Sequence, residues 1–204
     1  IISGIGYGKT TTSDDGTPKF IELYALEDLN LLNYRMKTHL TGGASINYDW
    51  VINQLNKTLK KGDYMLIYYP NNQIDANTFF GEDIDIIYDY TYFENYFYNS
   101  IRDGNDNFTL ESNESGQWKS VDRIGNGVNV LNYDDGWLYR KSNSVPSGTY
   151  DPSQWTNCVD CLESATNASA PTPFPVKTFT GTKISYDVSK GDSLLITGST
   201  MGIS

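Results

Sequence analysis

Three groups of residues in this chain have the types and spacing to do chemistry. Cys158 and Cys161, in "NCVDCL", stand at the Cys-x-x-Cys spacing of redox sites. A thioredoxin-like centre needs its first cysteine at a helix N-terminus behind a strand. Here the pair follows a Trp-bearing strand pattern and precedes a Pro-rich stretch, so the context predicts a small structural disulfide of the kind exported proteins form. His39 is the only histidine. A relay or a closed zinc centre needs more than one histidine and two cysteines provide, so His39 reads as a surface or capped residue.

Carboxylates form the third group: Asp83, Asp85 and Asp89; Asp103 and Asp106; Asp134 and Asp135. A glycosidase needs two of them facing each other across a cleft, a relation that spacing does not define. Asp103, Asn105, Asn107 and Glu114 fall at the first, third, fifth and twelfth positions of an EF-hand loop, but Phe108 stands where that loop requires glycine. The expectation is no catalytic residue, no metal and no cofactor, with an irregular calcium site on an Asp-rich loop kept open as the exception. Asn-x-Ser/Thr sequons occur at Asn56, Asn107, Asn113 and Asn167. In so Asn-rich a chain several arise by chance, and a bacterial or viral origin would leave them bare.

The elements that must position these residues read as strands. "KFIELYAL" sets Ile21, Leu23 and Ala25 on one face and Phe20, Glu22 and Tyr24 on the other. "GDYMLIYYP" is apolar on both faces, as a central strand of a layered fold would be. "DNFTLES" and "KSVDRIG", separated by a turn, read as a hairpin over residues 107–125. "TKISYDVSKGDSLLITG" reads as a second hairpin. Leu29, Leu32, Met36 and Leu40 sit at near-helical spacing, and residues 48–59 are equally open between helix and strand. "ESATNASAPTPFPVKTF" (163–179) reads as an extended connector, because its prolines bar a central strand. The division is therefore a β-sandwich over 1–179 and a C-terminal β-hairpin or assembly strand over 180–204.

The net charge of −10 argues against nucleic acid as a partner, since phosphate binding needs clustered Lys and Arg. Lys57, Lys60 and Lys61 are the nearest thing to a basic patch and read as a solvated approach to a strand. No apolar run approaches the ~18 residues of a spanning helix. Ile1 in place of Met reads as the start of a processed product, a domain or a fragment.

The most unusual stretch is "IIYDYTYFENYFYNS". Tyr88, Tyr90 and Tyr92 share one strand face, Tyr96 and Tyr98 another, with Phe93 and Phe97 between them. Such rings give large contact areas at low entropy cost. The seven aromatics read as an interface, with the alternative that they cover the sandwich's own long edge or pack against the C-terminal appendage.

Taken in order, "ISGIGYG", "TPKFIELYAL", "KKGDYMLIYY", "FFG", "DGNDNFTLE", "SVDRIG", "DGWLYRK" and "YDPSQWT" resemble the bacterial and viral branch of lamin tail domains over residues 1 to about 158. The resemblance implies an all-β, immunoglobulin-like β-sandwich, often attached to secreted nucleases and surface proteins. It also implies extended backbone for "LNYRMKTHL" and "VINQLNKTL". "NYDDGWLYRK" then becomes a framework element: Asp134–Asp135–Gly136 turn the chain, Trp137 fills the core and Trp155 is the second framework Trp. The stretch after "FFG" is longer and more aromatic than the family pattern.

The function expected is non-enzymatic: a structural or adhesive module of a cell surface, extracellular fibre or virus particle, acting through protein–protein contacts. Self-association or contact with other surface proteins is the expected partnership, with glycans as a further partner. Both terminal segments, "IISGIGYG" and "SLLITGSTMGIS", are expected to be strands with unpaired edges available to a neighbour. The alternative is a glycan- or nucleic-acid-targeting accessory domain of a secreted nuclease or other hydrolase.

Overall fold

The structure is a computed structural model that describes residues 1–8, 19–39, 46–50, 52, 57–69, 76–81, 87–89, 104–126, 131–162 and 166–183, with the backbone alone at 46–50 and 87–89. The strands run in the order β1 (Ile2–Tyr7), β2 (Lys19–Tyr24), β3 (Leu29–Asn30), β4 (Tyr34–His39), β5 (Ile46–Trp50), β6 (Thr58–Leu59) and β7 (Tyr64–Tyr69). A five-residue helix, α1 (Ala76–Phe80), precedes β8 (Ile87–Asp89), β9 (Asn107–Ser112), β10 (Lys119–Ile124), β11 (Gly136–Arg140) and β12 (Trp155–Cys158). Six strands line up as β12-β11-β1-β2-β7-β8 and four as β10-β9-β4-β5, while β3 and β6 form a separate ribbon. The pairings are antiparallel except for β7 with β8. Among the described residues the chain is an all-β sandwich of mainly antiparallel sheets with almost no helix, as the strand patterns predict.

Strand alternation gives the six-stranded sheet two apolar faces. Ile5, Ile21, Leu23, Met65, Ile67 and Leu138 meet Met36, Phe108, Leu110 and Ile124 of the four-stranded sheet. The residues between them in sequence point the other way. Phe20, Leu66, Tyr68, Trp137 and Tyr139 pack under α1 and the chain after the last strand, through Phe79, Phe80, Leu162, Phe174 and Phe179. The described residues thus form three layers. The Pro-rich stretch expected to be a connector supplies much of the third layer, with the Phe174 and Phe179 side chains fully buried. It forms no strand within 166–183, as its prolines require.

One further expectation changes. β1 lies between β11 and β2 with both edges paired, so the N-terminal strand has no edge to offer a neighbour. The reason is its composition: apolar on one face and glycine-rich on the other, it suits the middle of a doubly covered sheet. The near-helical spacing of Leu29, Leu32 and Met36 resolves as β3, a 3-10 turn at Leu31–Asn33 and β4. Asn30 caps that turn by accepting from the Leu32 amide at 2.9 Å. β5 makes residues 46–50 extended too. The hairpin from 184 onward, Leu40, and "SLLITGSTMGIS" lie outside the described residues.

Two β-bulges turn polar side chains inward, as an extra residue re-aims its neighbours. In β1 the register slips between Ile2 and Gly4, and the Ser3 hydroxyl reaches Glu22 at 2.7 Å. In β10 it slips between Ser120 and Asp122, and Asp122 enters the sandwich. There it meets Arg140 through two bonds of 2.8 and 2.9 Å, with the side chains only 1% and 2% exposed. Asp122 also accepts from the Ile2 amide at 2.7 Å and the Ser147 amide at 3.2 Å. Arg140 donates to the Ile2 carbonyl and the Gln154 side chain, both at 2.8 Å, and lies 4.3 Å over the Trp155 ring. Desolvation lowers the Arg140 pKa, and the Asp122 charge opposes that shift.

This pair ties β1, β10, β11 and the approach to β12 into one unit. Removing one partner leaves a buried charge uncompensated, so Asp122→Ala is expected to cost about 3–5 kcal/mol in urea unfolding. Replacing both partners together with apolar residues of similar volume should recover most of that loss. A single-variant cost below about 1 kcal/mol, the range of an exposed pair, would show that the pair does not hold the sheets.

Candidate functional site

The candidate residues disperse across the fold. His39 ends β4, with its ring 3.2 Å from the Thr109 hydroxyl. Beside it, on the face of the four-stranded sheet turned away from the core, Arg35 and Lys37 share Glu111 at 2.7 and 3.4 Å, and Arg35 lies 4.4 Å over Trp118. Asn107 opens β9 and Glu114 follows its end, about 20 Å away at the rise of a strand. The EF-hand arrangement therefore does not form. Among the described residues no three His, Cys, Asp or Glu side chains are grouped to hold a metal ion. Asp83, Asp85 and Asp103 lie outside the described residues, as do Tyr90, Tyr92, Phe93, Tyr96, Phe97 and Tyr98. The backbone of Tyr88 pairs with Ile67 at the edge of the six-stranded sheet. Lys60 lies against exposed Asp28 at 2.8 Å.

Cys158 and Cys161 are joined by a disulfide. It closes the turn after β12, where the Asp135 carbonyl accepts from the Cys161 and Leu162 amides, both at 2.8 Å. Gly136 is required there, since a Cβ would lie 1.9 Å from the Cys158 carbonyl oxygen. Trp137 and Trp155 are buried in different clusters, one on each face of the six-stranded sheet. A half-open apolar cavity of about 30 Å³ lies among Leu29, Leu31, Tyr34, Ile52 and Leu59. That is water-sized, far below the few hundred Å³ of a ligand pocket.

The side chains that do converge line the second face of the six-stranded sheet. Gly4 leaves a slot in β1: a Cβ there would be 2.5 Å from the Phe174 ring. Phe174 sits in that slot with its ring edge-on to Phe20, at 4.7 Å between centroids, and to Tyr139, at 5.1 Å. Phe179 packs edge-on against Tyr24 at 5.2 Å. Between these two anchors lies Glu22, 1% exposed. Its carboxylate accepts from the Ser3 hydroxyl at 2.7 Å, the Tyr139 hydroxyl at 3.0 Å and the Lys177 amide at 2.8 Å. Tyr139 in turn accepts from the Thr178 and Phe179 amides at 3.1 and 2.8 Å. Trp137 donates to the Thr172 carbonyl at 3.0 Å, and Tyr64 to the Phe179 carbonyl. An aromatic groove with a carboxylate and two hydroxyls at its centre therefore grips the main chain of residues 172–179.

Glu22, Tyr139 and Tyr64 are the groove residues that sequence reasoning missed, whereas Trp137 is among the expected framework residues. The signal was present in "KFIELYAL", where Glu22 shares a face with Phe20 and Tyr24. Of the sequons, Asn107 is buried, and Asn167 is buried with its amide bonded to the backbone of Phe174 at 2.9 and 2.7 Å.

Two phenols of the groove, Tyr139 and Tyr64, are held neutral. Burial raises the Tyr139 pKa and the charge of Glu22 raises it further. Tyr64 is pushed up to about 12 by burial, then by Glu22 and Tyr24. A phenol whose folded pKa lies above its ordinary 10.0 stabilises the fold fully below that value. The stabilisation is lost as pH rises towards about 12, because the unfolded chain ionises first. Urea midpoints should therefore hold up to about pH 10 and fall above it. Tyr64→Phe should flatten that alkaline fall, and an unchanged slope in the variant would contradict the coupling.

No protein-family model, curated protein or solved structure matches the chain, so its role has to be read from its own geometry.

Proposed function

We propose that the chain is a non-enzymatic structural or adhesive module, an immunoglobulin-like sandwich of the lamin tail type on a cell surface, extracellular fibre or virus particle. It acts through protein–protein contacts, self-association foremost. The observation that carries the reading is how the buried polar side chains are used. Arg140 and Asp122 join the sheets, Glu22 and Tyr139 join the third layer, and Asn167 shapes the segment that forms it. Polar chemistry committed to holding layers together suits a load-bearing module. The disulfide supports an exported setting, where such bonds persist.

The alternative, an accessory domain that targets a hydrolase to a glycan, is favoured by one feature. Trp118, half-buried, is stacked by Arg35 beside Lys37 on the outer face of the four-stranded sheet. An aromatic ring flanked by cations is a platform that sugars can use.

Light scattering over a concentration series, with negative-stain microscopy, separates the two. The structural reading predicts growth from monomer to filaments or closed oligomers as concentration rises. A monomer at every concentration would overturn self-association. Saturable glycan binding abolished by Trp118→Ala would then favour the alternative.

A further inference from the structure

We propose that the aromatic groove on the second face of the six-stranded sheet is an exchangeable peptide site, and that in assemblies it takes residues 166–183 of a second copy. The inference rests on the self-association reading above and names the contact that would produce it. In the single chain this arm fills its own groove. The same bonds can form between copies, because the groove reads the arm mainly through its backbone. The Lys177, Thr178 and Phe179 amides and the Thr172 and Phe179 carbonyls are all gripped by side chains of the sheet.

Three features make the arm separable from the body. It adds no strand within 166–183, so both sheets keep their ladders when it leaves. The disulfide lies before it, between Cys158 and Cys161, and stays intact during exchange. The arm also carries its own staple: Asn167 bonds both the amide and the carbonyl of Phe174, and the Val176 amide reaches that carbonyl at 2.8 Å. With prolines at 171, 173 and 175, a 3-10 turn at Asn167–Ser169 and a turn closed by the Thr178 amide on the Pro175 carbonyl, it is a preorganised ligand whose ordering costs little on binding. Specificity comes from Phe174, which fits only where Gly4 leaves room, and from Phe179 beside Tyr24. An arm that enters a neighbour while its own groove receives another is a head-to-tail contact, which propagates into rings or open chains.

The test uses full-length chains with complementary defects. One carries Phe174→Ala and Phe179→Ala, which disables the arm; the other carries Gly4→Ala, which closes the groove. Each alone should stay monomeric at concentrations where the wild type assembles. Mixed, they should form a dimer and stop, because the second chain's arm enters the first chain's groove. A labelled peptide of residues 166–183 should also bind the first variant saturably. The Phe174→Ala peptide should bind about 30-fold more weakly or worse, the loss expected of a buried anchor.

A folded first variant that takes up neither partner nor peptide overturns the proposal. If that variant does not fold, the wild-type chain is incubated with excess labelled peptide: slow uptake supports exchange and none contradicts it. Wild-type assembly that persists unchanged under saturating peptide would overturn the arm contact while leaving self-association standing. A wild type that never assembles would overturn both.

Discussion

The four inner strands of the six-stranded sheet, β11, β1, β2 and β7, are buried on both faces, and the rest of the structure follows from that constraint. A sheet covered on one side alternates apolar and polar residues. Here β1, β2, β7 and β11 bury nearly every residue. One face is covered by a second sheet. The other is covered by a short helix and an irregular, turn-containing arm, elements with little regular structure of their own. Apolar area removed from water stabilises by roughly 25 cal/mol per Å² whatever the secondary structure of the cover. A Pro-rich segment with two phenylalanines can therefore do the work of a third layer.

Double burial creates a second requirement. Polar side chains carried into the interior must find partners there, since an unpaired one costs about 1–3 kcal/mol. The fold meets this with local irregularities. The bulge at Ser3 aims a hydroxyl at Glu22, and the bulge at Val121 aims Asp122 at Arg140. Each partnership spans separate parts of the chain, so satisfying the polar group also fixes how the layers sit. The same carboxylate that would be costly alone becomes, in Glu22, the centre of the site that holds the arm.

Much of the sheet architecture is legible in the sequence because its signals are local. "GDYMLIYYP" shows two apolar faces and lies inside the six-stranded sheet, between β2 and β8. The turns around "DNFTLES" and "KSVDRIG" give the β9–β10 hairpin. What is not legible depends on contacts without a period. Phe174 and Phe179 stand five residues apart among prolines, matching neither strand nor helix spacing, so nothing local reveals that both are buried. Glu22 was visible on the Phe20 face, but only a covered second face makes that position interior. The EF-hand spacing, by contrast, is legible as a mismatch: Phe108 stands at the glycine position and the segment is β9, as its strand pattern predicts.

The central claim is that the arm is an integral layer held at Glu22 and Tyr139. Amide hydrogen exchange at Lys177, Thr178 and Phe179 tests it most directly. The account predicts protection far above that of the exposed turn at Ser115 and Gln117. It also predicts that Glu22→Gln accelerates exchange at these three amides while those of β2 keep their protection. Exchange at Thr178 and Phe179 as fast as in that turn would contradict the account, because the sheet's second face would then be open to water.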